Sequence, residues 1–168
     1  LIMSVPVPLS ITINTTAVDC YGGNDGIATA STTGGSNPYT YLWLSSGGNS
    51  ATETSLATGS YDVIVTDNNG CSRTETAIIS EPAAALSSTM AITNVSCYNG
   101  SDGVANLSVS GGTSPFEYDW DGGSELQDTA DLAQGTYYVT ITDDNGCNDT
   151  IQDSVEVWCD PTAAFINS

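Results

Sequence analysis

The residues with most chemistry to offer in this 168-residue chain are five cysteines and twenty Asp and Glu side chains. Four of the cysteines occupy matched places. Cys20-Tyr21-Gly22-Gly23-Asn24-Asp25-Gly26 returns as Cys97-Tyr98-Asn99-Gly100-Ser101-Asp102-Gly103, and Cys71 matches Cys147 behind a shared Asp-x-Asn-Gly. They lack the C-x-x-C spacing of a zinc or redox site, and the chain has no His to complete one. The economical reading is a disulfide inside each repeat, Cys20 with Cys71 and Cys97 with Cys147, closing loops of 51 and 50 residues. Chain entropy assigns such a loop about 4 kcal/mol, a large share of the stability of a small module. Disulfides also imply an oxidising compartment, hence secretion. Cys159 has no counterpart in the first repeat and is either free or paired outside this scheme.

The acidic residues suggest calcium. Asp25, Asp67, Asn68 and Asn69 in the first repeat, and Asp102, Asp143, Asp144 and Asn145 in the second, offer hard oxygen ligands on loops. Tight turns call for the same residue types with no ion present. Catalysis finds little support. With no His and no Lys, neither a His-based triad nor Schiff-base chemistry is open. Glu117, Asp119 and Asp121 alternate along one strand, but the first repeat has Thr40, Leu42 and Leu44 there, so they read as a solvated face. The chain is read as a non-enzyme without a required cofactor. Its net charge of −19, with Arg73 the single basic residue, repels nucleic acid and acidic membranes and favours solubility.

These residues need a scaffold, and the repeat supplies its outline. The offset of 77 holds through Gly34-Gly35/Gly111-Gly112, Pro38/Pro115, Tyr41/Tyr118 and Trp43/Trp120. It falls to 76 by Leu56/Leu132 and stays there through Gly59/Gly135, Tyr61/Tyr137 and Cys71/Cys147, so the second repeat lacks one residue between its Trp and its Leu. Apolar residues alternate with polar ones between Gly, Asn and Asp clusters, which predicts short strands and turns. Strands are expected at 9–14, 27–33, 39–44, 51–56, 60–66 and 72–80, then at 86–95, 104–110, 116–120, 125–132, 136–142 and 148–157. The fold class that follows is all-β, with two tandem immunoglobulin-like sandwiches. Leu-x-x-Gly-x-Tyr at 56–61 and 132–137 has the form of a tyrosine corner. Asn-Gly at 69–70 and 145–146 marks a hairpin. The expected segments are 1–8 as the tail of a preceding repeat, 9–82 and 83–161 as the two repeats, and 162–168 as the start of a following segment. Pro82-Ala83-Ala84-Ala85 is then a short, stiff linker.

C-Y-x-G-x-D-G, G-G-x-x-P-[YF]-x-Y-x-W, L-A-x-G-x-Y and D-x-N-G-C occur here in that order, twice. The set resembles the SprB repeat family, related to polycystic-kidney-disease-type domains. The resemblance implies a cell-surface adhesin of gliding Bacteroidota, exported by type IX secretion, with adjacent repeats as neighbours and surface polysaccharide as an adhesion ligand. It also brings in the Asp-Ser/Thr-apolar sequon of Bacteroidota O-glycosylation, matched at Thr129, Thr150 and Ser154.

What fails to repeat narrows the search for a contact. Leu42 and Leu44 should face outward in the first repeat, where the second is acidic, and are candidates for an interface. Three functions follow: an adhesive stalk; a filament subunit meeting identical chains edge to edge; or a carbohydrate-binding accessory domain of a secreted hydrolase, using Tyr21, Tyr98 and Tyr138. No apolar run is long enough to cross a membrane as a helix.

Overall fold

The computed structural model describes residues 7–158. The chain divides into two compact units between Pro82 and Ala83. Every regular element among the described residues is a β-strand. The first unit holds β1 (Ser10–Thr16), β2 (Gly26–Thr33), β3 (Thr40–Trp43), β4 (Thr52–Leu56), β5 (Gly59–Thr66) and β6 (Ser72–Ile79). The second holds β7 (Ser87–Thr93), β8 (Gly103–Ser110), β9 (Phe116–Trp120), β10 (Thr129–Leu132), β11 (Gly135–Asp143) and β12 (Asn148–Val155).

Each unit is a pair of three-stranded antiparallel sheets. The orders are β1-β2-β4 and β3-β5-β6 in the first unit, and β7-β8-β10 and β9-β11-β12 in the second. Alternation along the strands sends one face inward. Ala28, Ala30, Leu56, Val63, Val65, Ala77 and Ile79 pack around Trp43 in the first core. Ala105, Leu107, Leu132, Val139, Ile141 and Val155 pack around Trp120 in the second. Each indole keeps its N–H satisfied while buried. Trp43 Nε1 donates to the Ser50 carbonyl at 3.0 Å and Trp120 Nε1 to the Leu126 carbonyl at 2.8 Å. The tyrosine corners form in both units: Tyr61 Oη donates to the Ala57 carbonyl at 3.1 Å, and Tyr137 Oη to the Ala133 carbonyl at 3.0 Å. With the sandwich layers, they make the units immunoglobulin-like.

The expected strands are present with shifted ends, and one departure has a specific cause. Residues 125–128 are not in a strand. In the first unit the Ala30 amide is satisfied by the backbone carbonyl of Ala51 at 2.8 Å. In the second, the equivalent Leu107 amide donates to Asp128 Oδ1 at 2.8 Å, and Gln127 Nε2 donates to the Leu107 carbonyl at 2.7 Å. The Asp128 carboxylate thus takes the place of the Ala51 backbone carbonyl where the repeat is one residue short. The hairpin turn also differs from a two-residue Asn-Gly loop. β5 and β6 are separated by Asp67–Cys71. That loop closes through Gly70 N to Asp67 O at 3.0 Å and Asp67 N to Cys71 O at 2.9 Å. Only Gly70 in it has positive φ, at 84°. The Asn37-Pro38 and Ser114-Pro115 bonds are cis.

Candidate functional site at the poles of each module

Each module has a head pole, where β1 or β7 begins and the last hairpin turns, and a tail pole, where β6 or β12 ends. Most of the singled-out residues lie at one or the other.

At the head pole of the first module, Asp67 is buried and its carboxylate is encircled by backbone donors. Oδ2 accepts from Ser36 N at 3.0 Å, and Oδ1 accepts from Asn69 N at 3.0 Å and Cys71 N at 2.9 Å. The Ser36 N–H, joined by those of Cys71, Asn69 and Gly70, holds the carboxyl below its ordinary pKa of 3.8 against the opposing effect of burial. Gly35 makes room: with φ of 59°, a Cβ there would sit 2.8 Å from Asp67 Oδ2. Asn69 Nδ2 then ties the turn to Ser36 Oγ at 2.7 Å. The second module repeats the device. Asp143 Oδ2 accepts from Thr113 N at 2.9 Å, and Oδ1 accepts from Asn145 N at 3.0 Å and Cys147 N at 2.9 Å. Asp144 and Asn145 are exposed on the same turn.

At the tail pole, the C-Y-x-G-x-D-G motif builds a compact turn. Gly23 N donates to the Cys20 carbonyl at 2.9 Å, and Asp25 Oδ1 accepts from Asp19 N at 3.1 Å. Gly26 is buried where a Cβ would meet Ile79 Cγ2 at 2.6 Å and the Leu56 carbonyl at 2.7 Å. The second copy matches, with Gly100 N to Cys97 O at 2.9 Å and Ser96 N to Asp102 Oδ1 at 3.0 Å. Ser96, through its side chain and then its backbone, lowers the Asp102 pKa.

This geometry corrects the expected disulfides. Cys71 and Cys97 are free, exposed thiols, whereas Cys20 and Cys147 are disulfide-bonded. Neither Cys20–Cys71 nor Cys97–Cys147 forms. The reason is strand length. Cys71 immediately precedes β6, while the Cys20 turn sits beyond the other end of it: Val18 N bonds the Ser80 carbonyl at 2.9 Å, and Gly22 N bonds Glu81 Oε2 at 2.7 Å. β6 has eight residues. At about 3.3 Å per residue it separates the two cysteines by roughly 26 Å. A disulfide needs Cα atoms within about 7 Å. Cys97 and Cys147 lie at opposite ends of β12 in the same way, since Val95 N bonds the Glu156 carbonyl at 3.0 Å. Cys159 lies outside the described residues.

The expected calcium ligands are divided by the same distance. Asp25 and Asp102 are at tail poles; Asp67, Asn69, Asp143, Asp144 and Asn145 are at head poles. Among the described residues, no three His, Cys, Asp or Glu side chains are placed to hold a metal ion. The Asp67 and Asp143 oxygens accept from backbone N–H groups, which already meets much of the need an ion would meet.

Along the sides of the modules, Leu42 and Leu44 are 47% and 55% exposed. Leu42 lies opposite Ile64 on the outer face of β3 and β5. The second module has Glu117 and Asp119 there, opposite Thr142 and Thr140, beneath an open hollow of about 520 Å³ that Glu125 also lines. Thr150 and Ser154 are exposed on β12, and Thr129 is half-buried at the start of β10. Tyr21, Tyr98 and Tyr138 are 54%, 73% and 46% exposed. The first two sit in tail-pole turns and the third on β11. Sequence reasoning missed Ser36 and Thr113, whose amides hold the buried carboxylates. It also missed Gln127 and Asp128, for which the one-residue deletion was the available signal.

The SprB repeat profile matches residues 12–48 and 89–125. The chain carries two SprB repeats. The matched regions run from β1 past Trp43, and from β7 past Trp120. They contain the tail-pole turn and the Gly-Gly, Pro and Trp positions of each module. No match was found among curated proteins. Similar solved structures include the N-terminal eight Ig domains of Down Syndrome Cell Adhesion Molecule isoform 1.30.30, at 11% identity and a TM-score of 0.39. That match covers 89% of this chain and 25% of the other. The fibronectin(III)-like modules of Clostridium thermocellum CbhA match at 14% identity and a TM-score of 0.33, covering 88% of this chain and 95% of theirs. None of the described residues forms a helix long and apolar enough to cross a membrane.

Proposed function

We propose that the two repeats are a non-enzymatic structural segment of an extracellular surface protein, a stalk that holds a binding tip away from the surface carrying it. One observation supports this most strongly: the motif residues that recur are committed to the fold. Asp67 and Asp143 hold head-pole turns, Asp25 and Asp102 hold tail-pole turns, Gly26 and Gly103 permit close packing, Trp43 and Trp120 centre the cores, and Tyr61 and Tyr137 lock corners. A catalytic repeat would keep its shared polar residues pointing into a cleft. The SprB resemblance supports type IX export and gliding, with adhesion to polysaccharide made by the tip and not by these two repeats. O-linked glycans would fit Thr150 and Ser154, whose side chains face solvent.

The test is binding to polysaccharide-coated beads. The purified two-module chain is expected to show no saturable binding of its own, while cells displaying longer arrays capture beads at greater reach. Saturable binding that is lost in Tyr21→Ala, Tyr98→Ala or Tyr138→Ala would favour the carbohydrate-binding reading instead. The exposed Leu42 and Leu44 favour a filament contact as a second reading. Unchanged assembly and stability in Leu42→Asp with Leu44→Asp would remove it.

A further inference from the structure

The cysteines offer more than a corrected pairing. Cys71 is equivalent to Cys147, and Cys97 to Cys20, by position in the repeat. Cys147 and Cys20 are disulfide-bonded, while Cys71 and Cys97 are free and exposed. The same two structural positions therefore appear in both states. One is a head-pole position, fixed by the amide of Cys71 or Cys147 on a buried aspartate. The other is a tail-pole position, fixed by the Cys20 or Cys97 carbonyl on a glycine amide. Cys97 Sγ lies 3.5 Å from Ser96 Oγ, at the surface of the turn. Within a module the two positions are too far apart to meet.

We propose that Cys71 and Cys97 are coupling thiols, each forming a disulfide with the opposite-pole cysteine of a second copy of this repeat. The head-pole sulfur of one copy joins the tail-pole sulfur of another, so the link is polar and propagates. This rests on the reading of the chain as a structural repeat. The oxidant is a small-molecule disulfide. The Cys71 thiolate attacks one of its sulfurs, forming a mixed disulfide and releasing one thiolate. The Cys97 thiolate of a second copy then attacks the Cys71 sulfur and releases the other. Two protein thiols are oxidised, one small disulfide is reduced to two thiols, and the two protons pass to those products. In an array the neighbouring repeat is tethered, which raises the effective concentration of the partner thiol.

The experiment oxidises the full chain at high concentration with oxidised glutathione, then follows it by non-reducing electrophoresis and peptide mapping. The wild type should give a ladder of covalent oligomers carrying an intermolecular Cys71–Cys97 peptide. Cys71→Ser and Cys97→Ser should each remain monomeric, and their mixture should recover dimers but no longer species. Cys159→Ser should keep the ladder. Overturning results are a ladder that disappears with Cys159→Ser, a Cys97–Cys159 linkage within one chain, only like-to-like Cys71–Cys71 and Cys97–Cys97 pairs, or monomers with both thiols still open to alkylation. Such results leave the structural-repeat reading standing. Saturable polysaccharide binding overturns that reading without touching the thiols, so the two failures are distinguishable.

Discussion

Asp67 shows how an acidic residue can read as a metal ligand and serve as a turn bolt. Its two oxygens accept three backbone N–H groups from Ser36, Asn69 and Cys71. An amide in its place would point an NH2 group at one of those donors. The pKa direction fixes the pH dependence. Because the folded pKa lies below the ordinary 3.8, the carboxylate contributes stability above pH 3.8. That contribution fades as pH falls through the folded value. Asp67→Asn is therefore expected to lower the melting midpoint at neutral pH, with the gap to wild type closing as pH drops below 3.8. A thermal melt series from pH 7 to strongly acidic buffer reads this. A constant gap would show that the charge on Asp67 is not what stabilises the turn. Asp102 leans on Ser96 in a similar way at the tail pole.

Among the elements, the missing residue of the second repeat is the most informative. Its loss removes the backbone pairing seen between Ala30 and Ala51, and the side chains of Gln127 and Asp128 replace it at Leu107. Asp128→Ala should leave the Leu107 amide without its acceptor, at a cost of about 1–3 kcal/mol for a buried donor. Hydrogen exchange gives the readout: the Leu107 amide should exchange faster in the variant, while Ala30 in the first module stays protected as an internal control. Unchanged protection at Leu107 would mean that another acceptor is available. The strands themselves were legible because alternation and Gly, Asn and Asp punctuation are local signals. The cysteine partners were not, because pairing depends on strand direction. In a strict up-and-down run of six strands, the first would end where the sixth begins, bringing Cys20 to Cys71. Here β2 opposes both β1 and β4, and β5 opposes both β3 and β6. In the second module the chain after β7 also runs parallel to the chain after β12, at the Val95–Val157 bridge. First and last strands thus run the same way, and the two cysteines fall at opposite poles.

At the scale of the whole molecule, each unit has a complete core of its own. Trp43→Ala should cost about 3–5 kcal/mol, as removal of a buried aromatic does, and its effect should be confined to the first unit. Calorimetry is expected to show one transition moving down while the other holds its position; a single transition shifting as a whole would show that the units unfold together. The central claim is that the cysteines mark the poles of the repeats and do not staple their interiors. Peptide mapping of the protein, alkylated before any reduction, tests it most directly. Cys20 and Cys147 should be recovered in disulfides, with no peptide linking Cys20 to Cys71 or Cys97 to Cys147. Recovery of either within-repeat peptide as the main product would contradict the fold described for that module.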